Sequence, residues 1–432
     1  MYKNKKVGLS LSGGGYRAAA FHLGTLRKLS QLGIIEHVDV ISTISGGSIA
    51  GAYYVLNKAD FTTFEAGLIK CLTRSVIRKI IFSWRMLWLI IGIVLFFFLL
   101  HYLGTERYEF LIMLLGGFVL LTLFFFFQFF FFPFTLLKIK AYKKIFFGEK
   151  TLNDFPDNPE IAINATNLET GTLWTFSKRK ASDSSYEYPK DGGARISFKS
   201  GEFPIAMAVA SSTCVPVPFS PVKIAKSYYL NETDFKRIRP SLSDGGLYDN
   251  QGIHKITQPN SSYSCDIIIC SDGSQPFNFR FKGTNSFSVL YRANDIMMRK
   301  IKSLQFIRDV YSKKNEIAYF SLDWDYETCI KNFVRSIEEE KVIETTINFH
   351  GFTELYLKDI KKYRKILIEE VKAKIDFVKI IEEKLTAEEV GEISRIPTGL
   401  SAFTEKKINL LSRHAEILTE IQIKLYCPTL IN

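Results

Sequence analysis

A serine stands between a strand-like run and two glycines in the stretch ISTISGGSIAG, residues 41–51. This spacing is typical of a nucleophile elbow, a tight strand-to-helix turn that lifts a serine hydroxyl out of a sheet between small neighbours. Gly47 fits the downstream position, but Thr43 stands where the G-x-S-x-G pattern has glycine. Because a strand ending in a glycine-rich turn explains the stretch equally well, Ser45 is a candidate nucleophile that needs support elsewhere in the chain.

Three consecutive glycines follow an apolar alternating run near the N-terminus, in GLSLSGGGYRAAAFHLGTL. A glycine loop before a helix presents backbone N–H groups and the positive end of the helix dipole to an anion. That anion is either a dinucleotide pyrophosphate, since Gly13, Gly15 and Ala18 satisfy G-x-G-x-x-A, or the oxyanion of a carbonyl under attack. Both interpretations stay open on these residues alone.

Three further stretches follow in the chain: NATNLETGTLWTFSK (164–178), AVASSTCVPVPFSPV (208–222) and SDGGLYDNQG (243–252). An Asp-Gly-Gly sequence by itself is usually a turn. Because it follows the glycine loop, the serine and the other two stretches in this order, Asp244 becomes a catalytic candidate.

Together these stretches make the sequence similar to the patatin-like phospholipase family, over residues 5–60 and 145–275 and more faintly in RIPTGLSAFTEKKINLL near the C-terminus. The resemblance implies that Ser45 is the nucleophile and that Asp244 completes a Ser-Asp dyad. It also implies an oxyanion hole in the first loop, carried by Gly13, Gly14, Gly15 and Arg17.

The implied roles agree with elementary chemistry. A serine hydroxyl needs an adjacent base, and a carboxylate can take its proton and return it to the leaving group, best when burial raises the carboxyl pKa. His254, ten residues after Asp244, leaves a Ser-His-Asp triad as the alternative, whereas His22 is expected to pack. Two departures from the family pattern, Ser12 and Thr43, remove no reacting atom and affect efficiency more than activity.

The elements that position these residues alternate between strands and helices. Strand-like runs occupy residues 6–11, 38–44, 160–165 and 266–270, and helical patterns occupy 16–32 and 46–57. The alternation predicts an α/β fold with a mainly parallel central sheet, and the resemblance implies the patatin-like three-layer arrangement. Beyond residue 285 the chain becomes helical and charged, and Thr386 with Glu389 predicts a capping box.

Two long apolar segments, residues 86–103 and 110–137, interrupt this pattern. Each can span a bilayer core, which needs about 20 apolar residues. Their polar residues are His101, Thr122, Gln128 and Thr135, and their basic flanks are Arg74, Arg78, Lys79, Arg85, Lys138, Lys140, Lys143 and Lys144. By the positive-inside rule, both ends of this hairpin face the cytoplasm.

The sequence therefore predicts four parts: an N-terminal half-domain with the loop and elbow (1–80), a transmembrane hairpin (81–144), the remainder of the catalytic domain with the aspartate (145–285), and a helical C-terminal region (286–432). Because the hairpin leaves and re-enters on one side, the parts around it can fold together on the cytoplasmic side of the membrane.

Composition narrows the class of protein further. The six cysteines form no C-x-x-C pair and no ligand-like spacing with the six histidines, so we expect a reducing compartment and no metal. The net charge of +12 would attract anionic lipid or nucleic acid, but no base-reading motif is present, so no nucleic-acid partner is expected. The apolar run at the N-terminus leaves no room for a signal peptide.

We expect a membrane-anchored serine lipid acyl hydrolase, of phospholipase A or lysophospholipase type, that acts on membrane phospholipids without a cofactor. The alternatives are a transacylase with a lipid acceptor and a catalytically silent membrane adaptor. A dinucleotide-binding oxidoreductase accounts for the glycine loop but not for Ser45 or Asp244. An active lipase in a cell's own membrane would need restraint, but no residue identifies a regulatory partner or an oligomeric state.

Overall fold

The computed structural model describes residues 2–104, 107–189 and 192–431, and the middle of the short loop between the two apolar segments lies outside the described residues. The strands are β1 (Val7–Leu11), β2 (Val38–Ile44), β3 (Glu160–Asn167), β4 (Thr172–Phe176), β5 (Ala181–Ser182), β6 (Val222–Lys223), β7 (Ser241–Asp244), β8 (Ile267–Asp272) and β9 (Glu316–Ser321).

The helices before the middle of the chain belong to the body or to the apolar hairpin. They are α1 (Gly15–Gln31), α2 (Gly46–Asn57), α3 (Phe61–Leu72), α4 (Val76–Ile81), α5 (Trp84–Leu103), α6 (Glu109–Phe126), α7 (Gln128–Phe131), α8 (Phe134–Tyr142), α9 (Ser184–Glu187) and α10 (Ile205–Ser212). The later ones are α11 (Gly246–Asp249), α12 (His254–Thr257), α13 (Ser286–Arg308), α14 (Tyr326–Glu338), α15 (Glu344–His350), α16 (Glu354–Lys358), α17 (Ile360–Lys374), α18 (Phe377–Ile380), α19 (Ala387–Ser394) and α20 (Glu405–Tyr426).

Within the described residues, all nine strands form one sheet, in the order β5-β4-β3-β2-β1-β8-β9, with β7 beside β3 and β6 beside β7. The five strands from β3 to β9 in this order run parallel, and the others are antiparallel. The predicted α/β class is therefore confirmed. The four predicted strands begin and end within two residues of their observed bounds.

The parallel strands lie between two hydrophobic clusters because successive side chains of a strand point to opposite faces. Ile267 and Ile269 of β8 belong to the larger cluster, which contains the buried faces of α1, α2 and α20. Ile268 and Cys270 belong to the smaller cluster. This arrangement buries both faces of the sheet, as is usual for parallel sheets.

The C-terminal region is largely helical, as predicted, and the predicted capping box opens α19. The region also contributes β9, which pairs in parallel with β8, so the sequence prediction missed one parallel strand of the sheet, besides the four antiparallel strands β4 to β7. Its last long helix, α20, crosses α1 so closely that a Cβ on Gly24 would lie 1.8 Å from the carbonyl oxygen of Ser412. The C-terminal region thus completes the main core.

Helices α5 and α6 form a pair outside this core. They are 20 and 18 residues long, have mean hydropathies of 2.5 and 2.4, and bury none of their residues in the body. Gly116 of α6 lets the pair pack closely, since a Cβ there would lie 2.2 Å from a methyl group of Leu100. Both helices are long and apolar enough to cross a membrane.

The second apolar segment does not continue as one helix to residue 137. It breaks at Phe127 and again before Pro133, and the following helix α8 returns to the body. Helix α8 buries the side chains of Thr135, Lys138 and Tyr142. Lys138, predicted as a basic flank of the hairpin, is in fact an interior residue of the body.

Candidate active site

Ser45 lies in the turn between β2 and α2. Its backbone has φ 48° and ψ −113°, a conformation that non-glycine residues rarely adopt, and α2 begins at the next residue. A strained turn of this kind persists only when its surroundings hold it, and it is typical of nucleophile elbows. The predicted strand-to-helix turn is therefore present at Ser45, which is almost entirely buried.

The elbow packs directly on the glycine loop. A Cβ on Gly46 would lie 2.2 Å from the carbonyl oxygen of Gly15, and a Cβ on Gly47 would lie 2.2 Å from that of Leu11. Thr43 fits in this turn because helix α2 has a glycine, Gly51, opposite its methyl group. A Cβ added to Gly51 would lie 2.7 Å from that methyl group. The missing glycine of the motif is thus compensated by Gly51, six residues beyond the serine.

Ser212, at the end of α10, holds the elbow in place. Its Oγ accepts a hydrogen bond from the backbone N–H of Ser45 at 2.8 Å and lies 2.9 Å from Oγ of Ser48. Ser48 in turn donates to Oγ1 of Thr43 at 2.9 Å. The stretch AVASSTCVPVPFSPV, which stood out in the sequence without a role for individual residues, therefore supplies a support for the nucleophile position.

Asp244 is the last residue of β7 and pairs with Ala165 of β3. Its backbone N–H donates to the carbonyl of Cys214 at 2.8 Å, and its Oδ1 accepts from the N–H of Gly246 at 2.8 Å. Within the described residues, its buried Oδ2 has no hydrogen bond of normal geometry. Burial raises the pKa of Asp244 to about 6, while the Gly246 N–H, the Ser45 side chain and the charge of Lys138 act to lower it.

The buried cation near Asp244 comes from α8, directly after the hairpin. Nζ of Lys138 donates to the carbonyl of Thr213 at 2.9 Å and lies 3.9 Å from the ring centre of Phe219. Burial lowers the pKa of Lys138 to about 8, opposed by Cys214 and Asp244. Lys138 and Asp244 therefore bind neighbouring carbonyl groups of one segment, those of Thr213 and Cys214.

The glycine loop follows β1 at the sheet edge where β2 ends in the elbow. The N–H of Gly13 donates to the carbonyl of Asn250 at 2.9 Å, so it is already satisfied. The N–H groups of Gly14 and Gly15 have no acceptor in the part of the chain that the structure describes. Gly14 and Gly15 therefore have N–H groups that are not yet bonded to any described residue. Gly13 lets the loop pack closely on the serine, since a Cβ added to Gly13 would lie 3.3 Å from Cβ of Ser45.

Arg17 belongs to α1, and its side chain packs beside this loop. Its buried guanidinium donates from Nε to the carbonyl of Gly273 at 3.1 Å and from Nη1 to that of Ile396 at 2.7 Å. Its Nη2 has no partner within the described residues, and a Cβ on Gly14 would lie 3.1 Å from it. Burial lowers the pKa of Arg17 to about 10. The C-terminal stretch around Ile396 thus helps to position the loop.

The two histidines singled out in the sequence lie apart from this chemistry. His22 is buried between the carbonyl of Ser12 and Oγ of Ser271, at 2.9 Å from each, and burial lowers its pKa to about 4, as suits a packing role. His254 is 3.3 Å from Nη2 of Arg308 through its Nδ1, and it does not line the cleft described next. Among the described residues, neither histidine forms a hydrogen bond with Ser45 or Asp244.

One cleft of about 960 Å³ joins most of the predicted site residues. Gly13, Gly14, Arg17, Ser45 and Asp244 all line it. Gly15 does not line the cleft, because Gly399 covers it. A Cβ added to Gly15 would lie 2.4 Å from the carbonyl oxygen of Gly399. Among the described residues, no group of three or more His, Cys, Asp or Glu side chains could hold a metal ion.

Comparisons with known proteins give one family match and two distant structural neighbours. The family model for patatin-like phospholipase matches residues 9–255, a range that contains the loop, the elbow and Asp244. Human GIVD cytosolic phospholipase A2 has 13% identity and a TM-score of 0.38, over 67% of this chain and 48% of its own, so the chain spans about half its length. VipD from Legionella pneumophila has 14% identity and a TM-score of 0.32, over 98% of this chain and 86% of its own. No curated protein matches the sequence.

Proposed function

Because the chain belongs to the patatin-like phospholipase family, we propose that it is a membrane-anchored lipid acyl hydrolase in which Ser45 and Asp244 form the catalytic dyad. The observation that carries the proposal is the single cleft in which a serine on a strained elbow meets a buried carboxyl group with a pKa near 6. A carboxylate of that pKa is a stronger base than an ordinary aspartate and is still ionised at neutral pH.

In the first half of the reaction, the Asp244 carboxylate takes the proton of Ser45 as Oγ attacks the ester carbonyl carbon. The carbonyl oxygen becomes an oxyanion, which the N–H group of Gly14, the loop glycine in the cleft whose N–H has no acceptor among the described residues, and the N-terminal end of α1 stabilise. The protonated Asp244 then gives its proton to the departing alcohol or lysolipid oxygen. The products of this half are an acyl-serine and the released alcohol.

In the second half, water replaces the released alcohol beside the acyl-serine. Asp244 takes a proton from the water as its oxygen attacks the acyl carbon, and it returns the proton to Oγ of Ser45. A free fatty acid leaves and the dyad is restored. Arg17 acts as a positioning residue here, because its guanidinium holds the backbone around the loop instead of reaching the ester directly.

Membrane anchoring belongs to the same proposal. Helices α5 and α6 are supported as spans by their length, by their unburied apolar surface and by their low charge, which is limited to Arg85 and Glu109 near one end of each helix. The basic residues that flank them favour a body on the cytoplasmic side. A body tethered in this way meets lipid esters at a high effective concentration.

The test uses the full-length protein reconstituted in phospholipid vesicles. We expect fatty acid release that falls about 10⁴-fold or more in both Ser45→Ala and Asp244→Asn, with the double variant little worse than either single one, as for residues that act as a unit. Ser394→Ala is the matched control, since the Ser394 hydroxyl only donates to Val390 in its own helix. A serine-reactive fluorophosphonate should label the Ser45 peptide in the wild type.

The other outcomes identify the alternatives. Release by Ser45→Ala at the wild-type rate would overturn the dyad. Acyl transfer to an added alcohol or lysolipid, without free fatty acid, would identify a transacylase. A protein that neither reacts with the fluorophosphonate nor releases fatty acid from any phospholipid would be a silent adaptor.

A further inference from the structure

Helix α13 presents an apolar face to solvent. Six large apolar side chains at helical spacing are each more than half exposed: Val289, Leu290, Ile296, Met297, Leu304 and Ile307. We call them the α13 face. In the 23 residues of the helix, the structure buries only Gln305. An apolar surface of this kind on one helix marks an interaction site.

The opposite side of α13 holds the helix on the body. Nζ of Lys302 forms an ion pair with the buried Asp272 at 2.7 Å, and the ring of Phe306 packs on Tyr319 with 4.4 Å between centres. Helix α13 is therefore packed on the body through its other side. The α13 face is the side of the helix that makes none of these contacts and points away from them.

The segment around this face is strongly basic. Residues 279–308 contain seven Lys or Arg and one Asp, a net charge of +6 out of +12 for the whole chain. Three exposed aromatic side chains, Phe279, Phe281 and Phe287, precede or open the helix. An apolar helix face with aromatic residues at one end and cations along its edges is characteristic of helices that lie in the interface of an anionic membrane.

The same helix borders the candidate active site. Tyr291, Arg292 and Met298 of α13 line the cleft that contains Ser45 and Asp244. A surface on which α13 rests would therefore lie beside the mouth of that cleft. The cleft lining also includes Val215 and Pro216, in the segment between Thr213 and Ser220 whose backbone α8 binds after the hairpin.

We propose that the α13 face docks on an anionic phospholipid membrane and sets the cleft against the lipid surface. The proposal rests on the proposed function in one respect, since it names the surface from which the ester enters. A membrane is favoured over a protein partner because this segment also carries the exposed cations Arg280, Lys282 and Lys300, and because the cleft beside it is expected to receive a lipid.

A probe on the face tests the docking without relying on activity. The six native cysteines are all buried, so Met297→Cys allows selective labelling with the fluorophore NBD. Val378→Cys is the matched control, since Val378 is an equally exposed apolar residue on the short helix α18. Both labelled proteins are reconstituted at full length in phosphatidylcholine vesicles with and without phosphatidylglycerol, with nitroxide-labelled lipid as the quencher.

We expect the probe at residue 297 to be quenched at least severalfold more than the probe at residue 378, and more strongly when phosphatidylglycerol is present. The triple variant Arg280→Glu, Lys282→Glu and Lys300→Glu should reduce that quenching and lower vesicle hydrolysis about tenfold, while hydrolysis of a short-chain ester in detergent stays unchanged.

Hydrolysis with no quenching at residue 297 would overturn the docking and leave the proposed function intact. Quenching without any hydrolysis would support the docking and overturn the proposed function. Disulfide cross-linking of unlabelled Met297→Cys into a dimer, together with no quenching by nitroxide lipid, would show that a second copy covers the face, and it would overturn the docking as well.

Discussion

Asp244 carries the acid–base chemistry proposed for the site, at the scale of single residues. Burial disfavours its charged form, and three groups partly restore that form: the N–H of Gly246, the side chain of Ser45 and the cation of Lys138. The resulting pKa of about 6 leaves the carboxylate as the main form at pH 7. Of the three groups, Lys138 is the one that can be removed without changing the turn or the nucleophile.

The first prediction concerns the pH dependence of ester hydrolysis. Because the base must be ionised, kcat/KM should rise with pH through about 6 and level off above it. Lys138→Met removes a positive charge that favours the carboxylate, so the pKa of Asp244 should rise and the midpoint should move to higher pH. The measurement is the pH profile of kcat/KM on a soluble ester.

Lys255→Met is the control for this shift. Lys255 is also a mostly buried lysine whose pKa is lowered to about 8, but its charged neighbours do not include Asp244. Its replacement should leave the midpoint in place. A Lys138→Met profile that coincides with the wild-type profile would contradict the influence of Lys138 on the dyad.

The second prediction concerns stability. The pKa of Asp244 is about 6 in the folded protein and about 3.9 in an unfolded chain, so ionised Asp244 destabilises the fold, fully above pH 6 and not at all well below pH 4. Asp244→Asn should therefore raise the free energy of unfolding by about 1–3 kcal/mol at pH 7.5 while it abolishes hydrolysis. The gain should shrink as the pH falls toward 4.

Thermal unfolding of both proteins between pH 4 and 7.5 provides the measurement. Asp249→Asn is a useful comparison, since Asp249 is also fully buried but accepts from the backbone N–H groups of Gln251 and His254. A loss of stability in Asp244→Asn at neutral pH would show that the charged form is better solvated than its burial implies.

Ser45 and Asp244 were predictable because each lies in a short motif whose residue types carry the chemistry. Ser212 and Lys138 were not, because their importance comes from contacts between segments distant in the chain. Lys138 follows an apolar run, where a lysine normally marks the membrane interface, and nothing in the sequence distinguishes it from Lys140. Only the folded arrangement, with Lys138 against the carbonyl of Thr213, separates the two.

At the scale of elements, the third prediction concerns the packing of α2 on β2. Gly51→Ala should bring a Cβ within 2.7 Å of the Thr43 methyl group and destabilise the protein by about 1–3 kcal/mol. Thr43→Ser removes that methyl group and keeps the hydroxyl that accepts from Ser48, so the double variant should recover most of the loss.

Denaturant unfolding of the four proteins in this double-mutant cycle measures the coupling. The expected result is a favourable interaction between the two substitutions. Additive effects would mean that Gly51 is required for some reason other than the Thr43 side chain, and the compensation for the missing motif glycine would then lie elsewhere.

The elements around the loop and the elbow were predictable because apolar runs end there in glycines. Strand β9 was not, because EIAYFS is short and stands between long charged helical patterns, where a buried run of six residues does not reveal its partner. The break of the second apolar segment also escaped prediction. Its composition stays apolar to residue 137, and only packing shows that α8 belongs to the body.

At the scale of the whole molecule, the hairpin and the candidate site share a physical connection. Thr135 and Lys138 of α8 bind the carbonyls of Ser220 and Thr213, and Tyr142 donates to Oγ1 of Thr213 at 3.1 Å. The segment 212–220 reaches both members of the dyad, through the Ser212 contact with Ser45 and the Cys214 contact with Asp244. A movement of helices α5 and α6 can therefore reach the candidate site through α8.

The last prediction separates the membrane helices from this support. Replacing residues 84–131 with a short Gly/Ser linker removes α5, α6 and α7 but keeps α8, and the ends are close because Nη2 of Arg85 lies 3.3 Å from the carbonyl of Phe130. This variant should be soluble and should hydrolyse a water-soluble ester at nearly the full-length rate. It should lose most activity on vesicles, since without the two spans only the α13 face and basic residues hold it there, the latter at about 1 kcal/mol for each well-placed Lys or Arg.

A longer replacement, of residues 82–142, also removes Thr135, Lys138 and Tyr142 and should lose activity on the soluble ester as well, because segment 212–220 then lacks its buried partners. Fractionation and the two assays compare the variants with the full-length protein. Full-length protein released from membranes by alkaline carbonate would contradict the two spans. Equal soluble-ester activity in the two variants would leave the spans in place but show that α8 is dispensable for the site, and the hairpin would then act as a tether without a structural link to the dyad.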